Sequence, residues 1–79
     1  MYFVYILTNP KEQLYKGITN NIERRIAEHN NNESPGTRGK GPWKLIYSES
    51  CLNRKAARVR EKYFKLGQGR EYIHEHMLK

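Results

Sequence analysis

Ile22, Arg25, Ile26 and His29 recur at i, i+3, i+4 and i+7, so in a helix they share one face. That face also carries the helix's large apolar residues, so it must cover the rest of the fold. A guanidinium and an imidazole on an inward face cost desolvation unless they are paired or border a cleft. Either both snorkel to the rim or make structural hydrogen bonds, or they serve a site. Glu61 is the second unusual residue, one of only two acids among residues 38–70, which hold ten basic side chains. Its plain role is an i,i+4 surface pair with Lys65. Its chemical role would be a carboxylate ligand for Mg²⁺ or Mn²⁺, ions that need one or two carboxylates when phosphate supplies other oxygens. Tyr5 and Tyr15 complete the group. Core packing with a tethered hydroxyl is the ordinary use of a strand tyrosine. Proton acceptance requires cations nearby to lower a pKa of about 10.

The composition narrows the chemistry. All eight acids are glutamates and there is no aspartate, so EF-hand loops and multi-aspartate two-metal clusters are excluded. A Ser-His-Asp triad would need a glutamate in place of its aspartate. The net charge of +7 is uneven. Residues 1–37 are neutral, residues 38–70 carry +8 and residues 71–79 carry −1. A clustered basic field attracts polyanions, nucleic acid first, because phosphate contacts release counterions. A chain of 79 residues implies one domain, here 1–79, with a small core and no large cleft. One cysteine, Cys51, excludes an intrachain disulfide and suits a reducing compartment. No apolar run reaches membrane-span length and MYFVYIL lacks a basic leader, so a soluble, cytoplasmic protein is expected.

The elements that must position these groups follow from patterning. Residues 2–8 are continuous, β-branched and aromatic, which suits a strand buried on both faces. Pro10 punctuates a turn, and residues 14–19 form a second strand in a hairpin. Gly17 inside that strand signals a close backbone approach or a bulge. Asn20, three residues before Glu23, predicts an N-cap for a helix over 21–30. Residues 30–42 are polar and glycine-rich, long for a connecting loop in so small a domain. Residues 43–48 predict a third strand, with Trp43, Leu45 and Tyr47 on one face and Lys44, Ile46 and Ser48 on the other. Residues 52–66 predict a helix whose buried stripe is Leu52, Ala56, Val59, Tyr63 and Leu66, with Gly67 ending it. Arg54, Arg58, Glu61 and Lys65 then form a polar stripe opposite, and Ala57 and Phe64 flank Glu61 on the helix surface. A last helix over about 70–78 would bury Tyr72, Ile73, His76 and Met77. His74 and His76 do not share a helix face, so they make a poor metal pair. The Gly36–Gly41 segment lacks the order of a P-loop. The fold expected is α+β: a three-stranded antiparallel sheet flanked by helices, in the order β-β-α-β-α-α.

Two tyrosines on a hairpin, Arg and His one turn apart and a Glu on a later helix resemble the GIY-YIG endonucleases. The first signature is similar to Val4-Tyr5-Ile6 and the second to Tyr15-Lys16-Gly17. The run from Tyr15 to Asn30 resembles that family's strand–helix core. Gly41–Tyr47 and Ala57–Lys62 resemble its small single-domain bacterial members, and the resemblance covers nearly the whole chain. Val4 stands where the family name has Gly-Ile, and Lys16 where Ile or Val is usual. The resemblance implies hydrolysis of DNA phosphodiesters, at branched, nicked or damaged structures, with one Mg²⁺ or Mn²⁺ ion. It implies catalytic roles for Tyr5, Tyr15, Arg25, His29 and Glu61, with Glu61 as the metal ligand. Arg25 would stabilise the phosphorane charge, and a tyrosine or His29 would orient or deprotonate the water.

Contacts to the substrate are expected from Lys16, Gly17, Arg38, Lys40, Arg54, Arg58 and Lys65, with Gly36–Gly41 as a basic lip. RNA stays open as a substrate, and so does a protein partner that supplies specificity. Two rival readings are a nucleic-acid-binding module without chemistry and a protein–protein adaptor.

Overall fold

Val4, Tyr5, Ile6 and Leu7 are buried in succession, which requires a strand covered on both faces. In the computed structural model, which describes residues 1–76, they lie in β1 (Tyr2–Thr8). The remaining elements are β2 (Leu14–Thr19), α1 (Ile22–Asn30), β3 (Lys44–Cys51), α2 (Arg54–Lys65) and α3 (Gly67–His76). The order is the β-β-α-β-α-α expected. The sheet is antiparallel with β1 in the centre, in the order β2-β1-β3. Val4 and Ile6 pack with Ala57, Phe64 and Ile73 beneath α2 and α3. Tyr5 and Leu7 pack with Trp43, Tyr15 and Ile26 beneath α1. The sheet is therefore sandwiched between helices.

Asparagines set the chain reversals. The Asn9 side-chain oxygen accepts from the backbone N–H groups of Lys11 (3.1 Å) and Gln13 (2.9 Å), closing the hairpin loop as an Asx turn. Helix α1 is capped one residue later than the spacing predicts. Asn21, not Asn20, accepts from the Arg24 N–H (3.1 Å), while Asn20 accepts from the Arg24 guanidinium (2.9 Å). Asn53 caps α2 by accepting from the Ala56 N–H at 2.9 Å.

Two facing expectations are overturned. Ile6 pairs with Tyr47 but Leu7 pairs with Leu45, so Ile46 is an extra residue in β3 and the strand bulges there. Alternation resets across the bulge. Leu45 faces α1 with Trp43, whereas Tyr47 joins Phe64 on the other side. The buried stripe of α2 also differs. Leu52, Val59 and Leu66 are exposed, and Ala57 and Phe64 are the buried residues. The helix is held at that rotation by Arg60, whose guanidinium forks onto Glu49 of β3 (2.6 and 3.2 Å). The same group lies over the Phe64 ring at 5.0 Å. Tyr47 donates to Glu49 at 2.5 Å, completing the clamp.

Helix α3 starts at Gly67 rather than near residue 70. Gly69 lies against the Tyr63 carbonyl and the Phe64 backbone, where a Cβ has no room. Ile73 is buried as expected, but Tyr72 is exposed. Met77, the side chains of His74 and His76, and with them the expected burial and histidine pair, lie outside the described residues. Among the described residues no helix is long and apolar enough to cross a membrane.

Candidate active site

The hairpin register sets Tyr5 opposite Gly17, with both on the α1 face. The Tyr5 ring lies over the glycine, and a Cβ there would meet the hydroxyl at 2.6 Å and Cζ at 2.8 Å. Gly17 is thus the close approach that a glycine inside a strand signals. The Tyr5 hydroxyl ends 2.8 Å from His29 Nε2, and His29 Nδ1 lies 2.7 Å from the Thr37 hydroxyl. His29 and Thr37 are fully buried and Tyr5 is 1% exposed, so the chain Tyr5–His29–Thr37 is sealed from solvent. The Thr37 hydroxyl also lies 3.5 Å from the Ser34 carbonyl. The neutral imidazole thus bridges two hydroxyls, donating from one ring nitrogen and accepting at the other. The indole N–H of Trp43 donates to the Thr37 carbonyl (3.2 Å) and fixes that end.

Tyr15 packs edge-on against His29, with centroids 4.8 Å apart, and is only half-buried. Arg25 binds Glu28 at 3.0 Å and the Ser34 hydroxyl at 3.4 Å, leaving its side chain 30% exposed. The electrostatics follow from this packing. Burial pushes the Tyr5 hydroxyl up to about 12, against the pull of Arg25, and Tyr15 and Glu61 add to the rise. Burial lowers His29, and the Arg25 charge lowers it further against a smaller opposing effect of Glu28. Both groups are neutral at pH 7. Burial opposes the charge of Arg25, but Glu28 and Tyr5 more than offset it and hold its pKa above the usual value.

Glu61 approaches from the other side of the sheet. Arg60 is tied to β3, and Glu61, the next residue, is turned from it by about 100° around α2. Its charge adds the smallest of the effects that raise the Tyr5 hydroxyl. Its side chain is 18% exposed and pairs with Lys65 at 3.6 Å. Glu61 is therefore not on a fully solvated stripe: it sits at the margin between Ala57 and Phe64 and the exposed Arg54, Arg58 and Lys65.

Residues 1–72 match the family model of the GIY-YIG catalytic domain. The chain belongs to the GIY-YIG family. It is 50% identical over 66 residues to a UPF0213 protein of Clostridium perfringens, covering 82% of this chain and 71% of that one. It is 43% identical over 61 residues to one of Natronomonas pharaonis, covering 76% and 72%. The solution structure of a UPF0213 protein of Bacillus halodurans superposes with a TM-score of 0.56 at 28% identity, covering 95% of this chain and 84% of that one. GIY-YIG is a nuclease family, and the relatives named above are its small UPF0213 members.

Within this GIY-YIG domain the two signature tyrosines, Gly17, Arg25 and His29 come together on the α1 face, while Glu61 stands on α2 and is linked to them by its charge effect on Tyr5. The remaining expected substrate contacts are spread out. Lys16 lies opposite Ile6, so it is on the α2 face. Arg54, Arg58 and Lys65 run along the exposed flank of α2. Arg38 is exposed and donates to the Asn32 carbonyl (3.3 Å). Lys40 is held through its carbonyl by Asn9 (3.0 Å), at the hairpin end of the sheet. The 30–42 loop is less a lip than a cover: Ser34 and Thr37 are buried over His29, and Asn30 grips the Trp43 N–H (2.6 Å) and carbonyl (3.2 Å). Ser34 and Thr37 are site residues that sequence patterning passes over. A serine and a threonine in a glycine-rich stretch carry no periodic signal, and only the histidine on α1 hints that partners must exist.

Among the described residues no three His, Cys, Asp or Glu side chains are grouped to hold a metal. The residues present fit one hard ion on one carboxylate. Glu61 has a partly open carboxylate that makes a long ion pair, 3.6 Å, to the exposed Lys65, and Mg²⁺ or Mn²⁺ can take its other ligands from water and phosphate.

Proposed function

We propose that the chain hydrolyses phosphodiester bonds in DNA as a metal-dependent endonuclease domain, with branched, nicked or damaged structures as targets. The observation that carries this reading is the sealed Tyr5–His29–Thr37 chain, which ends beside Arg25 and within the field of Glu61. A fully satisfied buried polar chain holds its tyrosine and imidazole in one arrangement, the preorganisation a catalytic site needs.

The roles follow from exposure. Tyr5 and His29 are closed to solvent, whereas Tyr15 keeps part of its surface open. Tyr15 therefore orients the attacking water, and Tyr5 and His29 hold Tyr15 and Arg25 in place. Arg25, positively charged throughout and partly exposed, meets the charge that builds on the phosphoryl oxygens. Glu61 would hold Mg²⁺ or Mn²⁺, which supplies Lewis-acid stabilisation to the phosphate and the leaving oxygen. The basic flank of α2, with Arg58 and Lys65, attracts the backbone. The test is a panel of nicked, branched and intact duplexes incubated with Mg²⁺ or Mn²⁺. Wild type cuts at least one, while Arg25→Ala and Glu61→Ala cut none. Equal cutting by all three proteins indicates a contaminant and removes the reading.

A further inference from the structure

The end of the sheet where β1 begins and β2 ends carries a cleft of which the roles above use only Arg25. It has a volume of about 350 Å³ and is lined by Thr19, Asn20, Arg24, Arg25, Glu28 and Arg54 among others. Three guanidiniums face one carboxylate, and that carboxylate is already taken by Arg25 at 3.0 Å. Arg24 is held in place by Asn20 at 2.9 Å. Arg54 is exposed and has no ion-pair or hydrogen-bond partner among the described residues. The walls come from two helix starts: Arg24 and Arg25 stand in the opening turns of α1, and Arg54 is the first residue of α2, whose first turn holds no acid. The α2 macrodipole therefore adds positive potential to that of the arginines, while Glu23 in the first turn of α1 offsets part of that helix's contribution. A cluster of like charges with one neutralising group is unfavourable unless an anion completes it.

We propose that this cleft seats the phosphate next to the one under attack, so that the site requires a polynucleotide backbone rather than a lone diester. The inference rests on the nuclease reading for what happens at Arg25, and it fixes the direction of the strand. Arg25 lines the cleft and also abuts Tyr5, so it is shared between the two positions. A bound strand, which carries one phosphate per 3.4 Å or so of its axis, runs past Arg25 from the tyrosines toward Asn20 and Arg54. The planar forks of Arg24 and Arg54 suit bidentate capture of a phosphate.

The experiment needs no metal and no cleavage. A short fluorescein-labelled DNA duplex is titrated in EDTA at several salt concentrations and anisotropy is read. Arg24→Gln and Arg54→Gln each flatten the salt dependence by about 0.9 in log–log slope, equivalent to roughly an eightfold loss of affinity at 0.1 M salt. Arg54→Lys restores the slope. Lys44→Gln, exposed on β3 at the opposite edge of the sheet, leaves it unchanged. Wild-type slopes for both glutamine variants overturn the cleft. If the variants lose slope as stated but wild type cuts no substrate, the cleft stands and the nuclease reading falls. If wild type cuts and the variants keep their slope, the reverse holds.

Discussion

Replacing Gly17 by alanine adds one methyl group and removes no chemical group, yet it should disable the site. An ideal Cβ at that position falls 2.6 Å from the Tyr5 hydroxyl, 2.8 Å from Cζ and 3.1 Å from Cε1. Ordinary contact begins near 3.4 Å, so the ring must retreat by about 0.8 Å. It cannot swing into solvent, being 1% exposed, and its hydroxyl is pinned to His29 at 2.8 Å. A displacement of that size spans the whole range of hydrogen-bond lengths, so the bond to Nε2 is lost or badly bent. Overpacking costs about 1–3 kcal/mol, and a buried group left without its partner about 1–3 kcal/mol more. The alanine recovers only about 0.4–1 kcal/mol through the unfolded chain. The net loss is about 1–5.5 kcal/mol, or a Tm lower by roughly 6–33 °C for a chain of this size. Calorimetry gives the Tm, and a cycle with Tyr5→Phe gives the coupling. Because the hydroxyl is the nearest clashing atom, Tyr5→Phe should cost less in the alanine background than in wild type. An alanine variant as stable as wild type, with additive effects in the cycle, would show that Tyr5 does not close over Gly17.

Further outcomes follow from the same geometry. Thr37→Val keeps the shape but strands His29 Nδ1, and urea unfolding should show a loss of about 1–3 kcal/mol. Phe64→Ala should cost about 3–5 kcal/mol, whereas Val59→Lys and Leu66→Lys should stay within about 0.5 kcal/mol, reversing what the apolar spacing of α2 alone implies. His29 has a lowered pKa in the fold, so below its unfolded value of about 6.5 the unfolded chain binds the extra proton. The stabilisation from neutral His29 is present above that pH and declines as pH falls through it. Chemical denaturation between pH 5 and 8 should show the decline in wild type and a smaller one in His29→Gln.

What the sequence reveals and what it hides divide along physical lines. The β1 strand is legible because a run of apolar β-formers has one consistent reading, and Tyr5, Tyr15, Gly17, Arg25 and His29 are found because chain neighbours fix them on one hairpin and one helix. The Tyr47 facing is hidden because one extra residue at Ile46 resets the alternation, and a bulge leaves no compositional mark. The rotation of α2 is hidden because it depends on Arg60 meeting Glu49 across the fold, a pairing of distant residues that leaves Leu52, Val59 and Leu66 in solvent while Ala56 and Tyr63 still pack on the core. Thr37 is hidden because its importance comes from lying under His29 rather than from any local pattern.

The most direct test of the central claim is the rate of cutting as Mn²⁺ is raised, for wild type and Glu61→Gln purified side by side. One ion on one carboxylate predicts a single-site hyperbola for wild type and no cutting by the variant at any concentration. A sigmoidal rise, or equal rates in the two proteins, would contradict it.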